Sequence, residues 1–296
     1  MRQPSDTAVG IDVGGTRVRA GRIARDGSLS GHVIEPVVAD RQGFTRQVLR
    51  LIAAARDTTS AAIGIGIPGR VDPASGVIRS AGFIDLAEFD LGRRVADETG
   101  LPVRVENDAT MALLAEAHAR PEGAAGVILM MTVGTGIGGA ILADGAPWHG
   151  GGISGQFGHV VVSADGETCN CGRVGCVETF SSGTALGRLI AEAGLASATG
   201  AEELWRAAEA GDAASRAVLE RWASPFRRAL ETLVAVVDPG VILVGGGLGR
   251  EMVRALELLP PPSGWFGLPV EAARLGDRAG VVGAGLAALA RAGSTA

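Results

Sequence analysis

Apolar positions along the chain fall into short runs and helical stripes, and their order predicts the first half of the fold. Val9 to Val13 is a short apolar run that Gly14 and Gly15 break. From Thr16 to Ile23, Val18, Ala20 and Arg22 alternate against Arg17, Arg19 and Gly21 before a turn at Asp26-Gly27. That pattern predicts a hairpin, followed by a third strand near Gly31 to Val37. Arg41 to Arg56 carries Phe44, Val48, Leu51, Ile52 and Ala55 at helical spacing. Ala61 to Ile67 reads as a buried strand ending at Pro68-Gly69, Leu86 to Thr99 as a second helix, and Val103 to Glu106 as a short strand ending at Asn107-Asp108. Ala109 to Ala119 follows as a helix. Three strands, then strands alternating with helices, predict a mixed sheet with functional loops at strand ends.

After Pro121 to Gly123 the pattern restarts. Val127 to Val133 and Ala140 to Ala143 are predicted strands around a glycine turn; Ser182 to Ala193, Ala201 to Ala210 and Asp212 to Val237 are predicted helices. Val241 to Val244 is a buried strand that ends in a glycine run, and Ala279 to Arg291 is a closing helix rich in Ala and Leu. The second half repeats the plan of the first without an exact sequence repeat. This predicts two α/β domains, residues 1–119 and 120–278, with the closing helix in 279–296 packing back on the first. Gly123 to Ala143 is uncharged and long enough to raise the question of a membrane span, but the GTGIGG interruption favours strand–turn–strand.

Composition narrows the function classes. A length of 296 residues agrees with two domains, and 47% hydrophobic content with 46 glycines describes a turn-rich protein able to bury a large core. The net charge of −5 offers no basic footprint for a polyanion, so no nucleic-acid partner is expected. All 27 basic residues are Arg. A Walker P-loop, a kinase strand lysine and a Schiff-base mechanism each need a lysine that this chain lacks. The start, MRQPSDTAVG, carries Asp6 and no long apolar run, so no signal peptide is expected, and a soluble cytoplasmic protein without membrane partners is the default expectation.

Three glycine turns call for a chemistry: Asp12-Val-Gly14-Gly15-Thr16, Gly134-Thr135-Gly136-Ile-Gly-Gly139, and Gly245-Gly246-Gly247-Leu-Gly249. Without Cβ the backbone can bring N–H groups up to phosphate oxygens, and two facing turns could clasp a polyphosphate. Glycine also simply makes tight hairpins, and any one turn alone is equally well read that way. The middle turn matches G-x-G-x-x-G, but Ala140 to Ala143 leads into Asp144-Gly145 rather than a helix, which argues against a dinucleotide fingerprint.

The segment Gly155 to Gly183 holds all three cysteines. His159, Cys169, Cys171 and Cys176 offer four soft or borderline ligands within eighteen residues, the set a tetrahedral zinc site needs. A disulfide would leave one cysteine over, a four-thiolate iron–sulfur cluster is one cysteine short, and unconnected core thiols do not usually gather in a Gly-rich polar loop. With four protein ligands no position remains for water, so a zinc here is expected to shape the loop rather than to catalyse.

Together, DVGGT at 12–16, ENDA at 106–109, GTGIGG at 134–139, GH at 158–159, the run from Cys169 to Thr179 and DPGVILVGGG at 238–247 resemble the ROK family of sugar kinases, repressors and open reading frames. The resemblance spans nearly the whole chain and is strongest to actinobacterial-type glucokinases. It implies the two-domain, actin-like (ribonuclease H-like) α/β fold, with sugar and ATP in the cleft between the domains, and a homodimer. Repressors of the family carry a winged-helix segment before DxGGT, and only eleven residues precede Asp12, so a kinase is expected.

The resemblance and the residue types then assign roles. Asp108 is the candidate base beside the reacting hydroxyl, usually on C6, and Asn107 binds neighbouring hydroxyls, although the pair also reads as a helix cap. Gly69 joins the sugar-binding set. Asp12 is expected to hold Mg²⁺ through water. Gly14, Gly15, Thr16, Gly134, Thr135 and Gly136 take the phosphates of ATP, and Gly245, Gly246 and Gly247 take its adenosine. His159 binds zinc through one nitrogen and faces the sugar with the other, and Glu178 accepts from sugar hydroxyls. His32, His118 and His149 lack any comparable context and are expected at the surface or in loops.

One departure bears on specificity. Where most family kinases read Gly-Glu-x-Gly-His, this chain has Gln156. Gln keeps an acceptor oxygen but gives up the charge and gains a donor. Glucose is the expected substrate, with N-acetylmannosamine, N-acetylglucosamine and fructose as alternatives on the same scaffold. A non-catalytic sugar sensor keeps the binding residues without turnover, and retained Asp12 and Asp108 count against it.

Overall fold

The computed structural model describes residues 7–82, 84–121, 125–195, 200–262, 264, 267 and 270–294. The N-terminal stretch through Asp6 and residues 122–124 of the expected linker lie outside them. In chain order the first elements are β1 (Thr7–Val13), β2 (Arg17–Ala24), β3 (Leu29–Pro36), α1 (Arg41–Ala55) and β4 (Ser60–Ile67). They are followed by β5 (Arg70–Val71), β6 (Ile78–Ser80), α2 (Leu91–Thr99), β7 (Val103–Asn107) and α3 (Asp108–His118). Next come β8 (Val127–Val133), β9 (Ile137–Ala143), β10 (Ala146–Pro147), α4 (Glu178–Ser181), α5 (Gly183–Glu192), α6 (Ala201–Glu209) and α7 (Ala213–Val237). The chain closes with β11 (Val241–Gly245), α8 (Gly249–Glu257), β12 (Val270–Ala272) and α9 (Ala279–Ser294).

Contacts divide the chain into two compact units, residues 1–124, 145–154 and 277–296 in one and 125–144 and 155–276 in the other. The segment 145–154, which the hydrophobic pattern groups with the second half, clusters with the first unit. In the first unit the sheet order is β3-β2-β1-β4-β7. β2 runs antiparallel to β1, whereas β4 is parallel to β1 and β7 to β4. In the second unit β9 is antiparallel to β8, β11 is parallel to β8, and β12 is parallel to β11. Each unit thus builds one hairpin and then adds two parallel strands, which is the repeated plan seen in the hydrophobic pattern.

Strand alternation explains the packing of the first unit. Val9, Ile11 and Val13 of β1 join Phe44, Val48, Leu51 and Ile52 of α1 in one core. The intervening Ala8, Gly10 and Asp12 face the other side, since successive side chains of a strand point to opposite faces. There α9 lies directly on the sheet. Gly10 and Gly64 are opposite each other across β1 and β4, and a Cβ on either would overlap backbone atoms of α9 at Val281 or Ala284. Leaving out those side chains lets the helix backbone approach the strands, and Gly283 does the same against the Met111 carbonyl of α3. The second unit packs around α7, whose Trp222 and Phe226 are fully buried. The Trp222 indole donates to the Ser182 carbonyl (3.0 Å) and the Ser181 hydroxyl to the Trp222 carbonyl (2.7 Å), so the start of α5 is fixed to the core.

Two boundaries differ from the sequence expectation for local reasons. The helix expected from Leu86 begins at Leu91: Glu88 has a φ of 56°, Phe89 bridges Ile78, and the Asp90 side chain caps the Arg93 N–H at 2.8 Å. The strand expected from Ala140 begins at Ile137, so Gly138 and Gly139 belong to β9 and the turn itself is 134–136. β5, β6, β12 and α8 were not marked by the hydrophobic pattern. The first two have only two and three residues, too short for periodicity to register.

Candidate active site

In the first unit, β1 ends at Asp12 and Val13, and β7 runs straight into α3 at Asn107 and Asp108. Asn107 is the N-cap: its Oδ1 accepts from the Thr110 N–H at 3.2 Å and its Nδ2 donates to the Gly69 carbonyl at 3.0 Å. Both ends of the amide are therefore oriented, and one lone pair of Oδ1 remains for a ligand. The cap reading holds for Asn107. Asp108 is the first residue inside the helix and accepts the Ala109 N–H at 2.9 Å. Burial pushes its carboxyl up to about 6, opposed by hydrogen bonds from the Ala109 backbone, its own N–H and Asn107.

Asp12 is pushed up further, to about 7, first by burial and then by the charge of Asp108, with Arg19 pulling the other way. Arg19 Nη1 is 3.4 Å from Asp12, and its Nη2 is 3.2 Å from Asp277. Gly280, at the start of α9, has no room for a Cβ because the Asp12 carboxylate occupies that space. Two partly buried acids, with the charge of Asp108 raising the proton affinity of Asp12, form a donor set suited to a divalent cation. The glycine turn alongside is closed by the Gly14 N–H donating to the Arg17 carbonyl at 2.8 Å, and Gly15 and Thr16 are exposed. Arg19 was not singled out in the sequence, although its place in the β2 alternation put it opposite the apolar face.

In the second unit the other two glycine turns come together. β8 and β11 are parallel neighbours with Gly245 beside Thr132, so residues 134–136 and 245–247 leave the same edge of the sheet. Gly246 has a φ of 81° and packs against the Val133 backbone, a position only glycine fills without strain. The Gly183 N–H donates to the Gly134 carbonyl at 2.7 Å, and the Thr184 hydroxyl donates to the Thr135 carbonyl at 2.9 Å. The N-terminal end of α5 thus abuts the first turn, and α8 starts at Gly249 just after the second. Helix N-termini and exposed turn backbone favour negative charge, the property a nucleotide's phosphates require. Glu178 opens α4; its Oε2 accepts the Ile137 N–H at 2.8 Å and fills the space beside Gly136. This couples the residue expected to bind sugar to the turn expected to bind phosphate.

His159, Cys169, Cys171 and Cys176 also converge. One ligand atom from each lies within 4.8 Å of all the others. Cys169 Sγ is 3.4 Å from His159 Nδ1, and Cys171 Sγ is 3.5 Å from Cys176 Sγ. A tetrahedron with metal–ligand bonds of about 2.0–2.3 Å has edges of roughly 3.3–3.8 Å; these two separations match it, and the donors fit zinc in type and number. Hydrogen bonds from the Arg173 backbone bring the Cys171 thiol down to about 7, whereas burial raises Cys169 and lifts Cys176 up to about 12. The Arg173 guanidinium donates to the His159 carbonyl at 2.9 Å, a tie within the loop that the spacing of the ligands did not announce. Phe157, Gly158 and His159 form a single 3-10 turn, and half-buried Gln156 precedes it.

His149 lies in a loop, as expected, but it has a partner there that the sequence did not announce: its Nε2 is 2.7 Å from the carboxylate of buried Glu106. Among the described residues no helix is long and apolar enough to cross a membrane.

The chain matches the ROK family model over residues 8–292. It is 31% identical over 265 residues to a glucokinase of Thermotoga maritima, covering 83% of this chain and 84% of that protein. It is also 31% identical over 294 residues to an N-acetylmannosamine kinase of Salmonella typhi, covering 95% and 98%. In structure it resembles a ROK family glucokinase from Streptomyces griseus in complex with glucose and AMPPNP, with a TM-score of 0.84, 28% identity and coverage of 96% of this chain and 99% of that one. The actin-like α/β fold and the clustered zinc-type ligands agree with that likeness, and the chain belongs to the ROK family.

Proposed function

We propose that the protein is an ATP-dependent hexose kinase that transfers the γ-phosphoryl group of ATP to a sugar hydroxyl, with glucose as substrate and glucose 6-phosphate as product. The observation that carries this reading is Asp108: a partly buried carboxylate raised to about 6 at the head of α3, next to an amide whose orientation is fixed by Gly69 and Thr110. Such a group is mostly deprotonated at neutral pH yet basic enough to take a proton from a hydroxyl. Family membership and the named activities of the relatives support the same conclusion.

In this mechanism Asn107 and Gly69 orient the sugar, and Asp108 accepts the hydroxyl proton as the oxygen attacks the γ-phosphorus and ADP leaves. His159 Nε2 and Glu178 bind further hydroxyls. The turns at 14–16 and 134–136 donate backbone N–H groups to the phosphates, and residues 245–247 accommodate adenosine. Asp12 holds Mg²⁺, which supplies charge neutralisation on the phosphates when bound. Cys169, Cys171, Cys176 and His159 Nδ1 would hold zinc, which would keep the sugar loop in shape. The protein works as a homodimer in the cytoplasm, where ATP is available.

Gln156 favours a second reading. An amide in place of the usual carboxylate suits a sugar that presents an acceptor, such as the acetamido carbonyl of N-acetylmannosamine, an activity borne by relatives of equal identity. A coupled assay of ADP release with glucose, mannose, fructose, N-acetylglucosamine and N-acetylmannosamine separates the two. The largest kcat/KM with glucose supports the first reading, and the largest with an N-acetyl sugar replaces it by the second.

A further inference from the structure

Glu106 is the residue before the Asn107-Asp108 pair, and only 3% of its surface is exposed. A carboxylate so buried requires partners. Its Oε1 accepts the Asn107 backbone N–H at 2.9 Å, its Oε2 lies 2.7 Å from His149 Nε2, and Arg104 Nη2 stands 3.7 Å from the same oxygen. Because a carboxylate only accepts, Nε2 of His149 carries the hydrogen. His149 belongs to the segment 145–154, which continues without a break into Gly155, Gln156 and the turn that holds His159.

We propose that Glu106 and His149 form a positioning pair for sugar phosphorylation. Glu106 holds the peptide between itself and Asn107 from behind, and so sets the direction in which Asn107 and Asp108 leave β7. His149 ties the segment leading into residues 155–159 to the same carboxylate. The peptide that carries the base and the lead-in to the sugar loop therefore share one buried anchor. Neither side chain touches the reacting atoms. Their effect is on placement, and a displacement of about 1 Å at a reacting group costs on the order of a hundred-fold in rate. The inference rests on the kinase reading above.

Two polar substitutions of different reach test it. The Gln amide nitrogen can occupy the position of His Nε2, whereas the Asn amide stops near the position of Nδ1 and cannot reach Glu106. We expect His149→Asn to lower kcat/KM for the sugar by at least about ten-fold and to weaken sugar binding measured calorimetrically without nucleotide, with KM for ATP changing less than about two-fold. His149→Gln should restore both sugar parameters to within about three-fold of wild type, since it keeps the placement on which the rate depends. Equal kinetics in the Asn and Gln variants, or a loss toward ATP as large as that toward sugar, overturn the positioning role and leave the pair a support of the fold. Should the Asn variant not fold, Glu106→Gln keeps an oxygen for the Asn107 N–H while removing the charge facing His149. The same sugar-selective loss is expected there, and unchanged sugar kinetics overturn the proposal. A wild-type protein that phosphorylates no sugar of the panel overturns the kinase reading and the pair's role with it.

Discussion

At Asp108 burial and hydrogen bonding act in opposite directions, and burial wins: the carboxyl rises to about 6 despite the Ala109 N–H. As a base it must be unprotonated, so kcat/KM for the sugar should fall as pH drops through about 6 and level off above it. Asp108→Asn removes the acceptor while preserving shape, and a loss of about 10²–10⁴-fold in kcat with nearly unchanged sugar affinity is expected. Steady-state kinetics and calorimetry check both, and retention of more than about a tenth of wild-type kcat, roughly 1.4 kcal/mol, contradicts the role. Gln156→Glu restores a charge-assisted hydrogen bond typically worth about 1.5–3 kcal/mol. If glucose is the substrate, its KM should fall by about ten-fold or more with ATP affinity unchanged. Kinetics indifferent to the substitution across the panel would show that residue 156 does not touch the sugar. The clustering of the zinc-type ligands was legible because their types and spacing are unusual, and Asp108 stood out as a candidate through its place where a strand meets a helix and through the family resemblance. Glu106 and His149 were not: a pair separated by more than forty residues leaves no local pattern, and only folding brings the imidazole to the acid.

Among the elements, the zinc loop and α9 show two ways in which a segment is held. In the zinc loop the thiols Cys169 and Cys176 are raised by burial, so without metal they keep their protons at neutral pH. Metal binding must release those protons, and affinity should therefore decline as pH falls. Cys171→Ser should lose the metal and weaken sugar binding together, because the same loop carries His159 and ends at Glu178. Elemental analysis beside sugar calorimetry reads both effects, and normal sugar affinity in the zinc-free variant refutes the coupling. For α9 the holding is purely steric. Gly64→Ala would drive a methyl group into the Ala284 backbone, and a loss of about 1–3 kcal/mol or more is expected in denaturant unfolding. The hydrophobic pattern marked β4 and α9 as elements. It could not mark their glycines as the contact, since an absent side chain carries no periodicity.

For the whole molecule, the two-part plan was visible as a repeated order of hairpin, helix and strand, and the two sheets carry it out with the same antiparallel and parallel neighbours. The short strands β5, β6 and β12 and the start of α2 depend on turn geometry and on pairing with distant residues such as Phe89 with Ile78, which no window along the chain contains. The grouping of residues 145–154 with the first unit is likewise a tertiary fact, expressed by His149 on Glu106. The central claim is that these units make a sugar kinase. Its most direct test is ³¹P NMR of the zinc-loaded protein incubated with Mg²⁺, ATP and glucose. Glucose 6-phosphate and ADP should appear in equal amounts and only when sugar is present, whereas unchanged ATP, or ADP with inorganic phosphate and no sugar phosphate, would contradict it.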